Sequence, residues 1–76
     1  MSIRQLQMIR ALEIAGSVSA AAIALQVSQS ALSHRIREAE RLLDTPLYSR
    51  QNKKLVATPA GLRVQFAARR VLAELE

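Results

Sequence analysis

The polar side chains that could do chemistry in this sequence are concentrated between positions 28 and 41. Apolar residues recur in this stretch at helical spacing and predict an inward-facing side made of Leu32, Ile36, Ala39 and Leu43. The opposite side of such a helix is polar and carries no acid: Ser30, His34, Arg37 and Arg41, with Ser33 at its margin. The stretch is therefore predicted to be a helix that offers hydrogen-bonding groups to a partner.

These groups match the base edges and phosphates of duplex DNA. Arginine is suited to guanine and glutamine to adenine, and the free amides of a helix N-terminus bind phosphate. The predicted DNA-binding residues lie in the first turns of this helix and in a later basic segment: Ser28, Gln29, Ser30, Ser33, His34, Arg37, Arg50, Lys53 and Lys54. The alternative is that Ser28 only caps the helix and the others form an ordinary solvated surface.

Catalysis and metal binding are disfavoured by the residue types. The sequence has no cysteine, and its single histidine, His34, cannot assemble a zinc site by itself. A catalytic site would need a nucleophile with a base, or a carboxylate pair in a pocket. Glu38 and Glu40 lie on one predicted helix without a second element to complete a site. We therefore expect neither an enzyme nor a cofactor-binding protein.

The composition indicates one small, basic, mainly helical domain. The 76 residues are 50% hydrophobic but only 3% aromatic, which favours close helix packing over a β-sandwich. The net charge is +5, and residues 46–76 contribute six cations against two acids. No stretch approaches the roughly 18 consecutive apolar residues of a membrane span, and no export signal is recognisable. We expect a cytoplasmic protein without a membrane partner.

Capping and breaking residues divide the chain into elements. A helix over residues 3–15 ends at Gly16, a short helix follows the N-cap Ser17, and the helix from Ser28 ends before Pro46. Two helices joined by so short a turn indicate a helix-turn-helix. Strand-like runs at 47–50 and 55–57 predict a hairpin, or wing. Residues 1–58 thus form a predicted winged helix-turn-helix.

A fourth helix is predicted over residues 59–76, beginning at the cap Thr58 with proline at its first position. Its apolar residues fall on two sides, so that one side can dock on its own domain while the other needs a second copy. The predicted dimerisation residues are Leu62, Phe66, Val64, Ala68, Val71 and Leu75. Residues 59–76 are therefore predicted to be a linker and dimerisation helix.

Four motifs in this order resemble the DNA-binding domain of LysR-type bacterial transcription regulators. The motifs begin with the runs Gly16 to Ala22 and Leu25 to Ser33, and continue with Pro46 to Arg50 and Leu55 to Gly61. The resemblance implies a homodimer or a tetramer with paired linker helices, recognition helices in successive major grooves and wings at the flanking minor grooves. Symmetric pairing of two copies through the fourth helix would also require a near-palindromic operator. A larger domain that binds a small-molecule effector follows in the family and is absent from this chain.

Some residues depart from the family pattern, and two other functions remain open. The family often has proline at Ser30, arginine at His34 and glycine at Asp44, so the operator sequence cannot be carried over. One alternative is another class of winged-helix regulator. The other is a basic amphipathic module that binds a membrane or a partner helix, which would explain residues 59–76 only.

Overall fold

The computed structural model describes residues 1–52 and 54–76. It contains four helices and a two-stranded sheet, in the order α1 Ile3–Ala15, α2 Val18–Leu25, α3 Gln29–Leu43, β1 Tyr48–Gln51, β2 Lys54–Ala57 and α4 Pro59–Glu74. The strands are antiparallel, with Tyr48 opposite Ala57. The predicted mainly helical fold with a hairpin wing is therefore confirmed. Lys53, predicted to bind DNA, lies outside the described residues.

Hydroxyl side chains begin all four helices. Each accepts a hydrogen bond from the amide three residues later, at 3.0 to 3.2 Å: Ser2, Ser17, Ser28 and Thr58. The first three helices end at residues with left-handed backbone: Gly16, Gln26 and Asp44, with φ values of 79°, 59° and 51°. These caps satisfy backbone groups that the helix ends would otherwise leave unpaired. Local sequence thus fixes the element boundaries.

The core lies between α1, α2 and α3 and includes one residue just before β1 and one of α4. Its buried apolar residues are Leu6, Met8, Ile9, Leu12, Val18, Ala21, Ala22, Leu32, Ile36, Ala39, Leu47 and Ala68. Three of the four predicted inward residues of α3 are buried, whereas the fourth, Leu43, is 41% exposed. Leu43 is the last residue of α3 and lines a surface groove with Met1 and Thr45. Its predicted place in the core is therefore wrong, because the helix ends there at the edge of the core.

Helix α4 packs mainly along α1. Its docking side consists of Gly61, Gln65 and Ala68, which are buried, together with the half-buried Val64 and Leu72. This stripe includes Val64 and Ala68, which the sequence assigns to the dimer interface. Ala68 is fully buried in its own domain and cannot contact a second copy, so its assignment to a dimer interface is corrected, and Val64 also packs against the core.

The other predicted dimerisation residues remain on the surface of α4. Leu62, Phe66, Val71 and Leu75 are between 39% and 62% exposed. The guanidinium of Arg70 lies over the ring of Phe66, with its carbon 5.7 Å from the ring centroid. Within the described residues, no helix is long and apolar enough to cross a membrane.

Candidate nucleic-acid interface

One exposed face of α3 carries the predicted base-reading residues. Gln29, Ser30, His34 and Arg37 are exposed, and Ser33 is half-buried at the margin of the face. These side chains therefore lie together on the N-terminal and central turns of α3. In DNA-binding proteins of the helix-turn-helix type, the N-terminal residues of the second helix contact the base edges.

The hydroxyl of Ser28 is already engaged in the fold. It accepts from the Ala31 amide at 3.1 Å and lies 3.2 Å from the hydroxyl of Ser30. Capping is thus a demonstrated role of Ser28, as the alternative interpretation of this residue expected. The Ser30 hydroxyl is orientated by the same contact, which places it at the helix N-terminus.

The C-terminal part of this face differs in charge from the prediction, which expected no acid there. Arg41 donates from Nε to Glu38 at 3.2 Å, and a second guanidinium nitrogen contacts the same carboxylate oxygen. The hydrogen bond from Arg41 lowers the pKa of Glu38, and the same contact raises the pKa of Arg41. An acid therefore lies beside the polar face and forms a solvent-exposed ion pair with Arg41.

The root of the wing, residues 46–48, is held against α3 by the carboxylate of Glu40. Oε2 of Glu40 accepts hydrogen bonds from the main-chain amides of Leu47, at 2.7 Å, and Tyr48, at 3.3 Å. This contact holds the first residues of β1 beside the recognition helix. Sequence reasoning missed the positioning role of Glu40, because a carboxylate seven residues before its partner follows no local pattern.

The same root is fastened to the start of α4. The Thr58 hydroxyl donates to the Pro46 carbonyl at 2.7 Å, and the Thr58 amide donates to the Leu47 carbonyl at 3.0 Å. One turn later, a Cβ on Gly61 would lie 2.0 Å from the Leu47 carbonyl oxygen. Glycine is therefore required at position 61 by the close approach of two backbones. The motif from Thr58 to Gly61 caps α4 and also holds the start of this helix against the root of the wing.

Two wing cations face the N-terminus of α2 across a cleft of about 210 Å³. Arg50 and Lys54 line this cleft together with the segment from Gly16 to Ser19 and the side of Gln29. Hydroxyls, free helix amides and cations that converge in this way suit a phosphate oxygen. The sequence indicates Ser17 only as a cap, and neither Ser17 nor Ser19 was predicted to belong to the site.

A buried tyrosine hydroxyl lies at the start of β1. The hydroxyl oxygen of Tyr48 is buried and has no hydrogen-bond partner among the described residues. Burial raises the pKa of Tyr48, and the polar side chain of Gln65 offsets part of this rise. Gln65 is itself only 9% exposed. Sequence reasoning missed the burial of Gln65, because this residue interrupts an otherwise apolar docking stripe.

A helix-turn-helix whose second helix lies beside a β-hairpin is a winged helix-turn-helix. The family model of the bacterial regulatory helix-turn-helix protein, lysR family, matches residues 3–62. The chain belongs to this LysR family.

Similar proteins agree with this membership. The chain is 40% identical over 72 residues to the probable RuBisCO transcriptional regulator of Gracilaria tenuistipitata var. liui, covering 95% of this chain and 23% of that protein. It is 41% identical over 69 residues to the HTH-type transcriptional regulator MetR of Haemophilus influenzae, covering 91% and 22%. The chain thus spans about a quarter of the length of these regulators.

Its structure resembles that of a solved DNA complex. The crystal structure of the CbnR_DBD–DNA complex superposes with a TM-score of 0.88 at 33% identity, covering 99% of this chain and 86% of that one. The predicted fold class is therefore confirmed at the level of the whole described domain.

Removal of the Glu40 carboxylate should destabilise the domain. Glu40→Ala leaves the amides of Leu47 and Tyr48 without their charged acceptor, and we expect the free energy of unfolding to fall by about 2 kcal/mol. Glu38→Ala, on the same helix, removes only an exposed ion pair and should lower the free energy of unfolding far less. Urea unfolding followed by circular dichroism measures both. Equal losses in the two variants would contradict the fastening role of Glu40.

Proposed function

We propose that this chain is the sequence-specific, double-stranded DNA-binding domain of a bacterial LysR-type transcription regulator. Helix α3 lies in the major groove, and the β1–β2 wing contacts the flanking backbone or minor groove. The observation that carries this proposal is the continuity of the exposed polar face of α3 with the cationic cleft between the wing and α2. The similarity to a protein solved with DNA supports it.

The residues divide into two groups by the contacts they would make. Base edges are read by the exposed side chains of α3, namely Gln29, Ser30, Ser33, His34 and Arg37. Phosphates are bound by Arg50, Lys54 and Lys53, together with the hydroxyls and amides at the start of α2. Ser28 contributes through the cap that orders the first turn of α3. No catalytic residue, metal or cofactor is needed for this function.

The rest of the function depends on segments and copies beyond this domain. We propose that residues 1–58 are the DNA-reading unit and that residues 59–76 are a linker helix that pairs with a second copy, as a homodimer or within a tetramer. A small-molecule effector would act through a separate domain of the full-length regulator, in the cytoplasm. A helix acting alone on a membrane is not favoured, since α4 is docked along α1 with Gln65 and Ala68 buried.

Binding of duplex DNA should depend steeply on salt, and the wing should account for part of the dependence. Each phosphate contact contributes a slope of about −0.9 to log affinity against log salt. We expect the variant with Arg50→Ala and Lys54→Ala to bind all sequences more weakly and to flatten the slope by up to about two. Fluorescence anisotropy at several salt concentrations measures this.

The matched control removes two exposed cations elsewhere, by Arg4→Ala and Arg63→Ala. It has the same net charge as the wing variant but should keep the wild-type slope within about 0.5. If both double variants flattened the slope equally, overall charge and not the wing would bind the backbone.

Base discrimination should be lost when side chains of α3 are shortened. A duplex site is first selected from a random library with the wild-type chain. We expect Gln29→Ala and Arg37→Ala each to weaken binding to this site by about 1–3 kcal/mol, mainly through one base pair, because a bidentate base contact is lost. Arg41→Ala, whose guanidinium is held by Glu38, is the control and should discriminate as well as the wild type. An equal loss on selected and random DNA would reassign Gln29 and Arg37 to phosphate contacts.

The exposed apolar residues of α4 should support a dimer. Symmetric pairing would place two recognition helices roughly 34 Å apart, one turn of DNA, which requires a near-palindromic site. Val71→Glu should shift sedimentation equilibrium from dimer to monomer, because an unpaired carboxylate in an apolar interface is costly. Gln7→Glu, at an exposed position of α1, should leave the dimer unchanged. A wild type that stays monomeric at high concentration but binds a palindrome tightly would contradict pairing through α4.

A further inference from the structure

An open groove runs between α1 and α3, on the flank of α3 that faces away from the wing. It has a volume of about 390 Å³, and Arg35 and Glu38 form its wall on α3. The opposite flank of α3, with Ser33 and Arg37, lines a smaller recess beside the strands. Among the described residues, none from the wing or from α4 lines the groove. The groove is therefore separate from the wing cleft and from the proposed dimer surface.

The groove carries two cations that the fold does not use. Arg4 of α1 and Arg35 of α3 line it and are exposed. Neither takes part in the salt bridges of the described residues. Glu38, the acid among the described residues that line the groove, is already bonded to Arg41. An exposed guanidinium pairs with a carboxylate through two parallel hydrogen bonds. The free charge of the groove is thus complementary to an acidic partner.

The base of the groove is apolar. Met8 is only 3% exposed there, and the half-buried Leu25 at the end of α2 lies beside it. A thioether adapts to irregular apolar surfaces, and methionine is therefore frequent where a protein accepts varied partners. Gln5 and Gln7 also line the groove. The side-chain oxygen of Gln5 accepts from the amide of Ser2 at 2.9 Å, which leaves its nitrogen as a donor.

A segment of polypeptide fits this combination better than a small molecule or DNA. Small-molecule sites bury about 70–90% of the ligand surface, whereas Arg4, Gln7 and Arg35 are exposed around an open groove. A DNA backbone could pair with the two arginines, but it has no apolar side chain to cover Met8 and Leu25. A peptide with an apolar residue between acidic ones satisfies both the base and the cations.

We propose that the groove between α1 and α3 is a docking site for an acidic peptide segment of a partner protein. An apolar side chain of the segment packs on Met8 and Leu25, and its carboxylates pair with Arg4 and Arg35. This site goes beyond the proposed DNA binding and does not depend on it. Because the wing and α4 form no wall of the groove among the described residues, the segment can dock while the domain is bound to DNA. The domain would then hold a second protein beside its DNA site.

The test selects short random peptides displayed on phage, with the free 76-residue chain as the target. We expect the enriched sequences to carry acids on both sides of an apolar residue. One enriched peptide is synthesised with a fluorophore, and its binding is measured by fluorescence anisotropy. Arg4→Ala and Arg35→Ala should each weaken this binding about tenfold, because each removes a charge-assisted hydrogen bond. Addition of saturating duplex should leave the peptide bound, and neither variant should change the salt slope for duplex DNA.

The control is Arg63→Ala, which removes an exposed cation of α4 and gives the same net charge as either groove variant. It should keep the wild-type affinity for the peptide. Equal losses in all three variants would overturn the proposal, because overall charge would then attract the peptide. Enriched sequences without acids would overturn it too.

Two further outcomes separate this site from the DNA interface. If Arg35→Ala flattened the salt slope, or if duplex displaced the peptide, the groove would belong to the DNA backbone contact and the proposal would be overturned. A chain that binds no duplex would contradict the proposed function instead, while peptide binding to the free chain would still decide whether the groove is a docking site.

Discussion

Residues 46–48, at the start of the wing, are held to two different helices by hydrogen bonds of their main chain. The rest of the domain depends on this attachment. The Glu40 carboxylate of α3 binds the amides of Leu47 and Tyr48, while Thr58 binds the carbonyls of Pro46 and Leu47. A two-stranded hairpin is only marginally stable alone. Its position relative to the recognition helix therefore comes from these contacts together with the burial of Leu47 and the packing of Tyr48 and Leu55 against the core.

A domain of this size has little apolar surface to spare, and the helices meet through small side chains as a result. Ala21, Ala22, Ala39 and Ala68 are almost fully buried where helices approach closely. Close approach lets a small core include parts of every helix, at the cost of leaving large apolar groups of α4 such as Phe66 and Leu75 on the surface. The large apolar residues of α4 are therefore exposed because only a narrow stripe of this helix packs against its own domain.

The elements and the polar face of α3 could be predicted from local signals in the sequence. The contacts between elements could not be predicted in this way. Hydroxyl caps and the stops at Gly16 and Pro46 are read directly from neighbouring residues. The docking side of α4 was misplaced because Gln65 is polar and Ala68 fits either side of the pattern. Glu40 and Gly61 could not be assigned their roles, since each depends on a residue at least seven positions away whose approach only the folded chain defines.

The ion pair between Glu38 and Arg41 also shapes the electric field of the domain before any contact is made. With Arg37 and Glu40 it leaves the C-terminal half of α3 without net charge, while the cations Arg50 and Lys54 lie beside the N-termini of α2 and α3, whose helix dipoles are positive at that end. The charge distribution is therefore polarised along the recognition helix. In the negative potential of a nucleic acid this polarity exerts a torque, so that diffusional encounters are biased towards the orientation in which the helix enters end-first.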